Sequence, residues 1–292
     1  MENQNLELSI IIVNYNSGES LKRCLASLKE SRIESPYEII VVDNGSQEGD
    51  LKGLEEDLFN LQLIRNPKNI GFARANNQGI SNSKGDHLLL LNPDTLVLKE
   101  GLDGLVKFME EHPKAGAAGP MLLSPDGTRQ PSFRRFPSLL NVFFGRTSFL
   151  TRRFPKNPFT KSYLMMDANS QRAREVDWIM GACMILRRDA FQGVGGFDES
   201  FFLFVEDVDL CYRLKRMGWK IYYVPEVRVI HEYGASIKTR RRLSMKEHHI
   251  GMYRFFLKHY RYPLPVKGIL SLGLLMRLAL VSFHNGGEER KR

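Results

Sequence analysis

Residues 8–16 read LSIIIVNYN, an almost unbroken apolar run, Leu8 to Val13, that stops at the polar turn formers Asn14-Tyr15-Asn16. A strand with one wet face alternates apolar and polar residues. A run apolar at nearly every position needs cover on both faces, as in a parallel sheet layered by helices. The residues that follow supply that cover: Leu21, Cys24, Leu25 and Leu28 recur at helical spacing behind Asn16-Ser17-Gly18. The alternation then repeats. Glu38–Val42 (EIIVV) is a second interior strand ending at Asp43-Asn44-Gly45, and Gln62–Ile64 is a weaker one. Phe72–Ser83 reads as a helix, Leu88–Leu91 as a strand closed by Asn92-Pro93-Asp94, and Lys99–Glu111 as a helix. Further on, Ala182–Leu186 is a strand, Val208–Met217 a helix ended by Gly218, and Lys220–Val224 and Val227–Ile230 are short strands. This order predicts an α/β fold with a mostly parallel, doubly wound twisted sheet and flanking helices.

At 292 residues and 42% hydrophobic, the chain has enough apolar material for a packed core, which excludes a disordered or collagen-like protein. Its three cysteines, Cys24, Cys183 and Cys211, each lie in an apolar-periodic stretch and form no disulfide framework, which points to a reducing compartment. MENQNLELSI has no basic segment followed by an apolar one, so a cytoplasmic location is expected rather than secretion.

The net charge of +9 is unevenly spread. Between Arg129 and Lys161 there are eight basic residues and no acid, interleaved with Phe133, Phe136, Leu139, Leu140, Phe143, Phe144, Phe149 and Leu150. A second basic run spans Lys238–Arg242. Basic and apolar residues mixed at this density read as a membrane-surface segment rather than a nucleic-acid site, and no nucleic-acid motif accompanies them. Leu264–Phe283 approaches the length of a membrane span, but Lys267 and Arg277 interrupt it. A central Arg in lipid costs at least about 2.5 kcal/mol. A helix lying in the membrane interface is the reading preferred over one docked on the domain.

Ligands of open parallel sheets bind beyond the carboxyl ends of the strands. Three polar clusters stand there: Asn14-Tyr15-Asn16, Asp43-Asn44-Gly45 and Asn92-Pro93-Asp94. Each alone is what a turn requires; together they converge on one edge. Tyr15 suits a base ring, and Asp43 can accept the N3–H that uracil and thymine carry. Asp94 at a rigid strand end can take a hard cation that also binds a diphosphate. Glu206-Asp207-Val208-Asp209 opens a helix with more acid than a cap needs, and the preceding FFLF desolvates it, as suits a general base. His231 after an apolar strand is, by residue type alone, an ordinary rim histidine. No G-x-G-x-x-G, P-loop or C-x-x-C occurs, which removes dinucleotide oxidoreductase, P-loop and zinc readings.

The segments SIIIVNYNSGESLKRCLASL, VVDNGS, NPKNIGFARANNQGI, LLLLNPDT, DWIMGACMILRRDAF, GGFDESFFLFVEDVDLCYRLKRMGW and VIHEYGAS, in this order over Leu8 to Ser236, resemble family-two glycosyltransferases of the GT-A, Rossmann-like fold. They are most like bacterial rhamnosyltransferase-type members that build cell-envelope polysaccharides. The resemblance implies that Val13, Tyr15 and Asp43 hold a nucleotide base, and that Asn69, Gly71 and Asn76 border ribose and diphosphate. Asp94 would bind Mg²⁺ or Mn²⁺ with His231, Asp207 would be the catalytic base, and Trp178, Gly181 and Glu206 would face the acceptor. Asn92 stands where the fuller D-x-D motif has its first Asp.

It implies a metal-dependent, inverting transfer of one sugar, rhamnose by resemblance, from a dTDP- or UDP-linked donor. The acceptor would be a lipid-linked glycan on the cytoplasmic face of the inner membrane. The processive Q-x-x-R-W motif is missing, which favours single transfer over polymerisation. The expected organisation is a glycosyltransferase domain over 1–236, with a nucleotide-sugar half at 1–115 and an acceptor half at 116–236 carrying the basic insert 129–161. A helical, membrane-associating extension over 237–292 completes it. The competing reading is a non-catalytic nucleotide-binding membrane scaffold on the same fold.

Overall fold

The protein's structure is a computed structural model describing residues 6–52, 61–99, 101–138, 163, 165, 171–232 and 241–286, with backbone alone at 241–242 and 277–286. Most of the basic-aromatic segment, from 139 on, and part of the run 238–242 lie outside the described residues.

The elements in chain order are β1 (Leu8–Asn14), α1 (Gly18–Glu30), β2 (Tyr37–Asp43), β3 (Leu61–Arg65), α2 (Phe72–Ser81), β4 (His87–Leu91), β5 (Thr95–Val97), α3 (Asp103–Glu111) and β6 (Ala115–Leu123). Then come β7 (Phe133–Arg134), β8 (Arg174–Val176), β9 (Trp178–Ile179), β10 (Cys183–Arg187), α4 (Arg188–Gly193), α5 (Glu206–Arg216), β11 (Lys220–His231), α6 (Arg241–His259) and α7 (Leu264–Gly286).

Among the described residues one nine-stranded sheet runs β3-β2-β1-β4-β10-β6-β11-β5, with β8 also paired to β11. β1 is buried at all seven positions. Because successive side chains point to opposite faces, Ile10 and Ile12 join the core under α1 and α3, while Ile11 joins the core under α2 and α5. Ser9 is the polar exception within this run, and it is satisfied: its hydroxyl donates to Glu38 Oε1 at 2.7 Å and accepts from Gly85 N at 2.8 Å. Cys24, Cys183 and Cys211 are free and buried, filling core volume.

The sheet is mixed where the sequence predicts mostly parallel pairing. β1, β2, β3 and β4 run parallel, as do β6 and β11, but β10 lies antiparallel between β4 and β6. An antiparallel strand brings its first residues, not its last, to the edge where the parallel strands end. Two other differences have local causes. The helix expected from Lys99 starts at Asp103, because Gly101 turns the chain with φ of 70° and a Cβ there would lie 2.1 Å from Arg32 O. The two short strands expected at 220–224 and 227–230 are one strand, with a bulge between Val224 and Arg228 where Pro225 cannot donate to the ladder.

α6 packs onto the sheet domain through Phe255, fully buried in the core under α2 and α5. Its polar anchor is Asp209, fully buried, which accepts from Arg213 Nε at 2.7 Å, Lys258 Nζ at 2.8 Å and His259 Nε2 at 2.6 Å. Burial alone would raise the Asp209 pKa; the bond from His259 and the Arg213 and Lys258 charges outweigh it and hold the carboxyl below its usual range.

A buried charge left without its partner costs far more than the pair gains, so Asp209→Ala is expected to lose about 3–5 kcal/mol in urea unfolding. With a depressed folded pKa, this stabilisation is present above the ordinary aspartate range and is lost as pH falls through the lower folded value. A loss below about 1 kcal/mol, the size of a surface pair, would mean that the network does not hold α6 in place.

Candidate active site

The carboxyl ends of β1, β2 and β4 carry the three polar clusters. At β1 and β2, Asn14 Nδ2 donates to Ser46 Oγ at 3.0 Å and Asp50 Oδ2 at 2.9 Å, with Asp43 Oδ1 at 3.4 Å. Asp50 Oδ1 in turn accepts from Gly18 N at 3.0 Å, fixing the start of α1. Val13 is buried at the end of β1, and Tyr15 is half-buried just beyond it.

Asn44 organises the next loop. Its Oδ1 accepts from Ile70 N at 3.0 Å, and its Nδ2 donates to Asn69 Oδ1 at 3.1 Å and Gly71 O at 3.3 Å. Gly71 has φ of 93° and lies against Phe202, where a Cβ would fall 2.9 Å from the ring, so this corner admits only glycine. Asn76 is buried inside α2 and donates to Phe72 O at 2.9 Å.

After β4 the chain turns at Asn92, whose N–H donates to Ala182 O at 2.9 Å. That turn presents Asp94, 8% exposed, to His231, 4% exposed, at the end of β11; His231 Nε2 lies 3.4 Å from Asp94 Oδ1. Glu232 N donates to Asp94 O at 2.8 Å, and the Glu232 carboxylate pairs with Arg23, so both sides of this contact are tied down.

The residue next to Ala182 joins the second half of the site. Gly181 N donates to Asp207 Oδ2 at 3.0 Å, and Asp207 Oδ1 accepts from Val208 N at 2.8 Å. Asp94 and Asp207 therefore belong to one edge of the sheet, linked through adjacent residues at the entry to β10. Asp207 sits in the first turn of α5, behind Phe204 and Val205 with φ of 66° and 70°. Left-handed backbone at a β-branched residue is strained by about 1–3 kcal/mol. Gly251 of α6 covers this turn, its Cβ position 3.0 Å from Val205 Cγ2. Helix α6 thus braces the turn that aims Asp207.

Two carboxyls next to each other here titrate as a pair. Burial first, and the Asp207 charge second, push Glu206 well above the usual glutamate range; it is 6% exposed, and its Oε2 has no hydrogen-bond partner among the described residues. Burial also raises Asp207, but the N–H groups of Gly181 and Val208 and the Arg134 guanidinium oppose the rise. Of the pair, Glu206 holds the proton more tightly, and the Asp207 carboxyl is raised above its usual range, the direction that proton abstraction requires. Trp178 is buried, donates Nε1–H to Arg135 O at 2.9 Å, and carries Arg134 over its ring at 5.4 Å.

Sequence reasoning singled out neither Asp50, Gln130 nor Arg134. Gln130 bonds both the carbonyl and the ring of His231, and Arg134 acts on Asp207. Gln130 and Arg134 fall in TRQPSFRRFPSL, a stretch that also resembles the rhamnosyltransferase-type subgroup, but that resemblance gave neither a role, and their partners lie far along the chain.

Among the described residues no group of three or more His, Cys, Asp or Glu side chains is arranged to hold a metal. Asp94 and His231 offer one carboxylate and one imidazole, a donor set that fits Mg²⁺ or Mn²⁺ completing its shell with phosphate oxygens and water.

A raised folded pKa means that Glu206 contributes stability below its unfolded value, and that this is lost as pH climbs toward the folded value. Glu206→Gln keeps the shape and removes the titration. Between about pH 5 and pH 8 its thermal midpoint should fall less than that of the wild type. Identical pH slopes for the two proteins would contradict a neutral Glu206.

Comparisons with known proteins place the chain in a family and a fold. Residues 9–195 match the family described as glycosyl transferase family 2. The chain is 32% identical, over 98% of its length and 96% of the relative's, to N-acetylglucosaminyl-diphospho-decaprenol L-rhamnosyltransferase of Mycobacterium tuberculosis. It is 30% identical, over 76% of its length and 82% of the relative's, to rhamnosyltransferase WbbL of Escherichia coli K12. Among solved structures, mannosyltransferase PcManGT of Pyrobaculum calidifontis, in complex with GDP-Man and Mn²⁺, superposes with a TM-score of 0.60 at 17% identity, covering 95% of this chain and 71% of that one. GalNAc-T7 with UDP, GalNAc and Mn²⁺ gives 0.60 at 18% identity over 87% of this chain and 50% of that one. At such identities the likeness speaks for the fold, which is GT-A. With the family match spanning most of the sheet, the chain belongs to glycosyl transferase family 2.

Proposed function

We propose that this glycosyltransferase moves a single sugar, rhamnose, from a dTDP- or UDP-linked donor to a hydroxyl of a polyprenyl-diphosphate-linked glycan in cell-envelope synthesis, with inversion. The observation that carries the reading is the buried Asp207 carboxylate, held by Gly181 N–H on the sheet edge that also bears Asp94 and His231. Asp207 takes the proton of the acceptor hydroxyl. The hydroxyl oxygen attacks the anomeric carbon from the face opposite the diphosphate, a new C–O bond forms, and the bond to the diphosphate breaks, the leaving group keeping the electron pair.

Neutral Glu206 adds no second negative charge where the nucleophile gathers its own. Val13, Tyr15 and Asp43 would receive the base, with Asp43 suited to the N3–H of uracil or thymine. The loop Asn69–Gly71 would border the ribose and diphosphate, while Asn76 would act through its helix. Trp178 and Gly181 would border the acceptor. Asp94 and His231 would hold Mg²⁺ or Mn²⁺, which when bound neutralises charge on the diphosphate. Rhamnose is supported by the names of the two relatives above, and the lipid-linked acceptor by the mycobacterial one.

The acceptor's lipid calls for a surface-bound enzyme. Among the described residues no helix is long and apolar enough to cross a membrane. α7 nevertheless exposes Ile269, Leu272, Leu275 and Met276, spaced along one helical face, and Leu264 is 82% exposed at its start. α6 holds this helix through Tyr253 Oη and Ser271 Oγ at 2.6 Å. Such a face, in a chain of net charge +9, suits the interface of an anionic membrane on the cytoplasmic side.

Asp207→Asn is expected to lower transfer by about 10²-fold or more while donor affinity stays within a few-fold, measured by nucleotide release and by calorimetry. Asp94→Ala should weaken Mn²⁺ activation and donor binding together. Near wild-type turnover in the first variant would remove the base assignment; an unshifted metal titration in the second would remove the metal assignment. In flotation assays the wild type should rise with phosphatidylglycerol vesicles, and Leu272→Asp/Leu275→Asp should stay in the soluble fraction. Equal flotation of the two would rule out α7 as the anchor.

A further inference from the structure

We infer that Gln130 is a positioning residue that sets which ring nitrogen of His231 is presented to Asp94, and so prepares the cation site. The inference rests on the reading of Asp94 and His231 as metal ligands. Gln130 Nε2 lies 2.7 Å from the backbone oxygen of His231 and 3.2 Å from Ser124 Oγ. A carbonyl oxygen can only accept, so the amide NH₂ must face it. That orientation turns Gln130 Oε1 toward His231 Nδ1, 2.9 Å away. An amide oxygen can also only accept, so Nδ1 must carry the proton. In the neutral ring the lone pair then belongs to Nε2, the nitrogen 3.4 Å from Asp94 Oδ1.

Gln130 thus grips one residue twice, at its backbone and at its ring. This grip matters because His231 is the last residue of β11, where the sheet stops restraining the side chain. Gln130 is itself held rigidly. Its N–H donates to Leu122 O at 2.8 Å, and the turn before it closes through Ser124 N to Thr128 O at 2.7 Å and Gly127 N to Ser124 O at 2.8 Å. A histidine that ligates a metal through one nitrogen needs the other fixed by a hydrogen bond, which sets tautomer and ring plane. Loss of such a partner typically costs 10–100-fold in metal affinity.

Gln130→Met keeps the side-chain length and removes both polar atoms. Three measurements on the full-length protein separate the possibilities: Mn²⁺ affinity by electron paramagnetic resonance in the presence of UDP, the ¹⁵N signature of the His231 ring without metal, and the thermal midpoint. The expected result is a single Nδ1–H tautomer in the wild type and a mixture in Gln130→Met. Mn²⁺ should bind the variant about 10–100-fold more weakly, with metal-free UDP affinity unchanged. Gln130→Glu, which keeps an acceptor for Nδ1–H but loses the bond to the His231 carbonyl, should keep the Nδ1–H signature and bind Mn²⁺ more tightly than Gln130→Met though less tightly than wild type. A neutral wild-type ring protonated at Nε2 overturns the inference. So does weaker Mn²⁺ binding in Gln130→Met with an unchanged His231 signature, which would mark a merely structural role. If Asp94→Ala and His231→Ala bind Mn²⁺ as tightly as wild type, the metal assignment fails, and the inference about preparing a cation site falls with it, whatever the tautomer.

Discussion

The backbone of two adjacent residues at the entry to β10 holds the site together. Ala182 O accepts from Asn92 N, anchoring the turn that carries Asp94, and Gly181 N donates to Asp207, anchoring the buried carboxylate of α5. Asn92 and Asp207 are far apart in the chain, one just after β4 and the other in the first turn of α5. They meet because β10 runs antiparallel between β4 and β6, so that its first residues arrive where the parallel strands end. Had β10 been parallel, its entry would lie at the opposite edge and nothing would join the two carboxylates.

Aiming Asp207 requires strain and burial, and both are offset from outside the sheet. The consecutive left-handed residues Phe204 and Val205 are unfavourable alone, and Gly251 of α6 packs directly on them. A residue with a side chain at 251 would press on Val205. The same helix carries Lys258 and His259 to Asp209, two residues beyond the catalytic candidate. Desolvating Asp209 is expensive, and three positively charged or hydrogen-bonding partners compensate for it. The C-terminal helices are therefore coupled to the geometry of α5, besides offering an apolar face on α7.

The electrostatic division between neighbouring acids follows from the same packing. Glu206, Asp207 and Asp209 lie within one turn and have three different fates: burial, with the Asp207 charge, pushes Glu206 well up; burial raises Asp207 against the opposition of two backbone N–H groups and Arg134; and the bond from His259 with the cations around Asp209 holds it below its usual range. The segment Gln130–Arg134 spans both ends of the site, with Gln130 on His231 and Arg134 near Asp207. That makes it a mechanical link between the candidate metal ligand and the candidate base.

The sequence by itself determined the layers of the fold. LSIIIV, EIIVV and LLLL can be stable only with helices on both faces, and the polar residues that end them must then share an edge. It also marked the acidic opening of α5, because three acids exceed what a helix N-terminus uses. Periodicity reports only on neighbours three or four residues away, however, so it could not reveal partners at long range. By residue type His231 was an ordinary rim histidine, and only the resemblance made it a ligand; its approach to Asp94 depends on β11 running beside β6 and closing against β5. Gln130 lies in a stretch that resembles the family, but its contact with His231, 101 residues away, could not be read from it. Which of three adjacent acids keeps its proton was likewise decided by tertiary structure alone, since burial and the direction of distant N–H and cationic groups set the cost of charge.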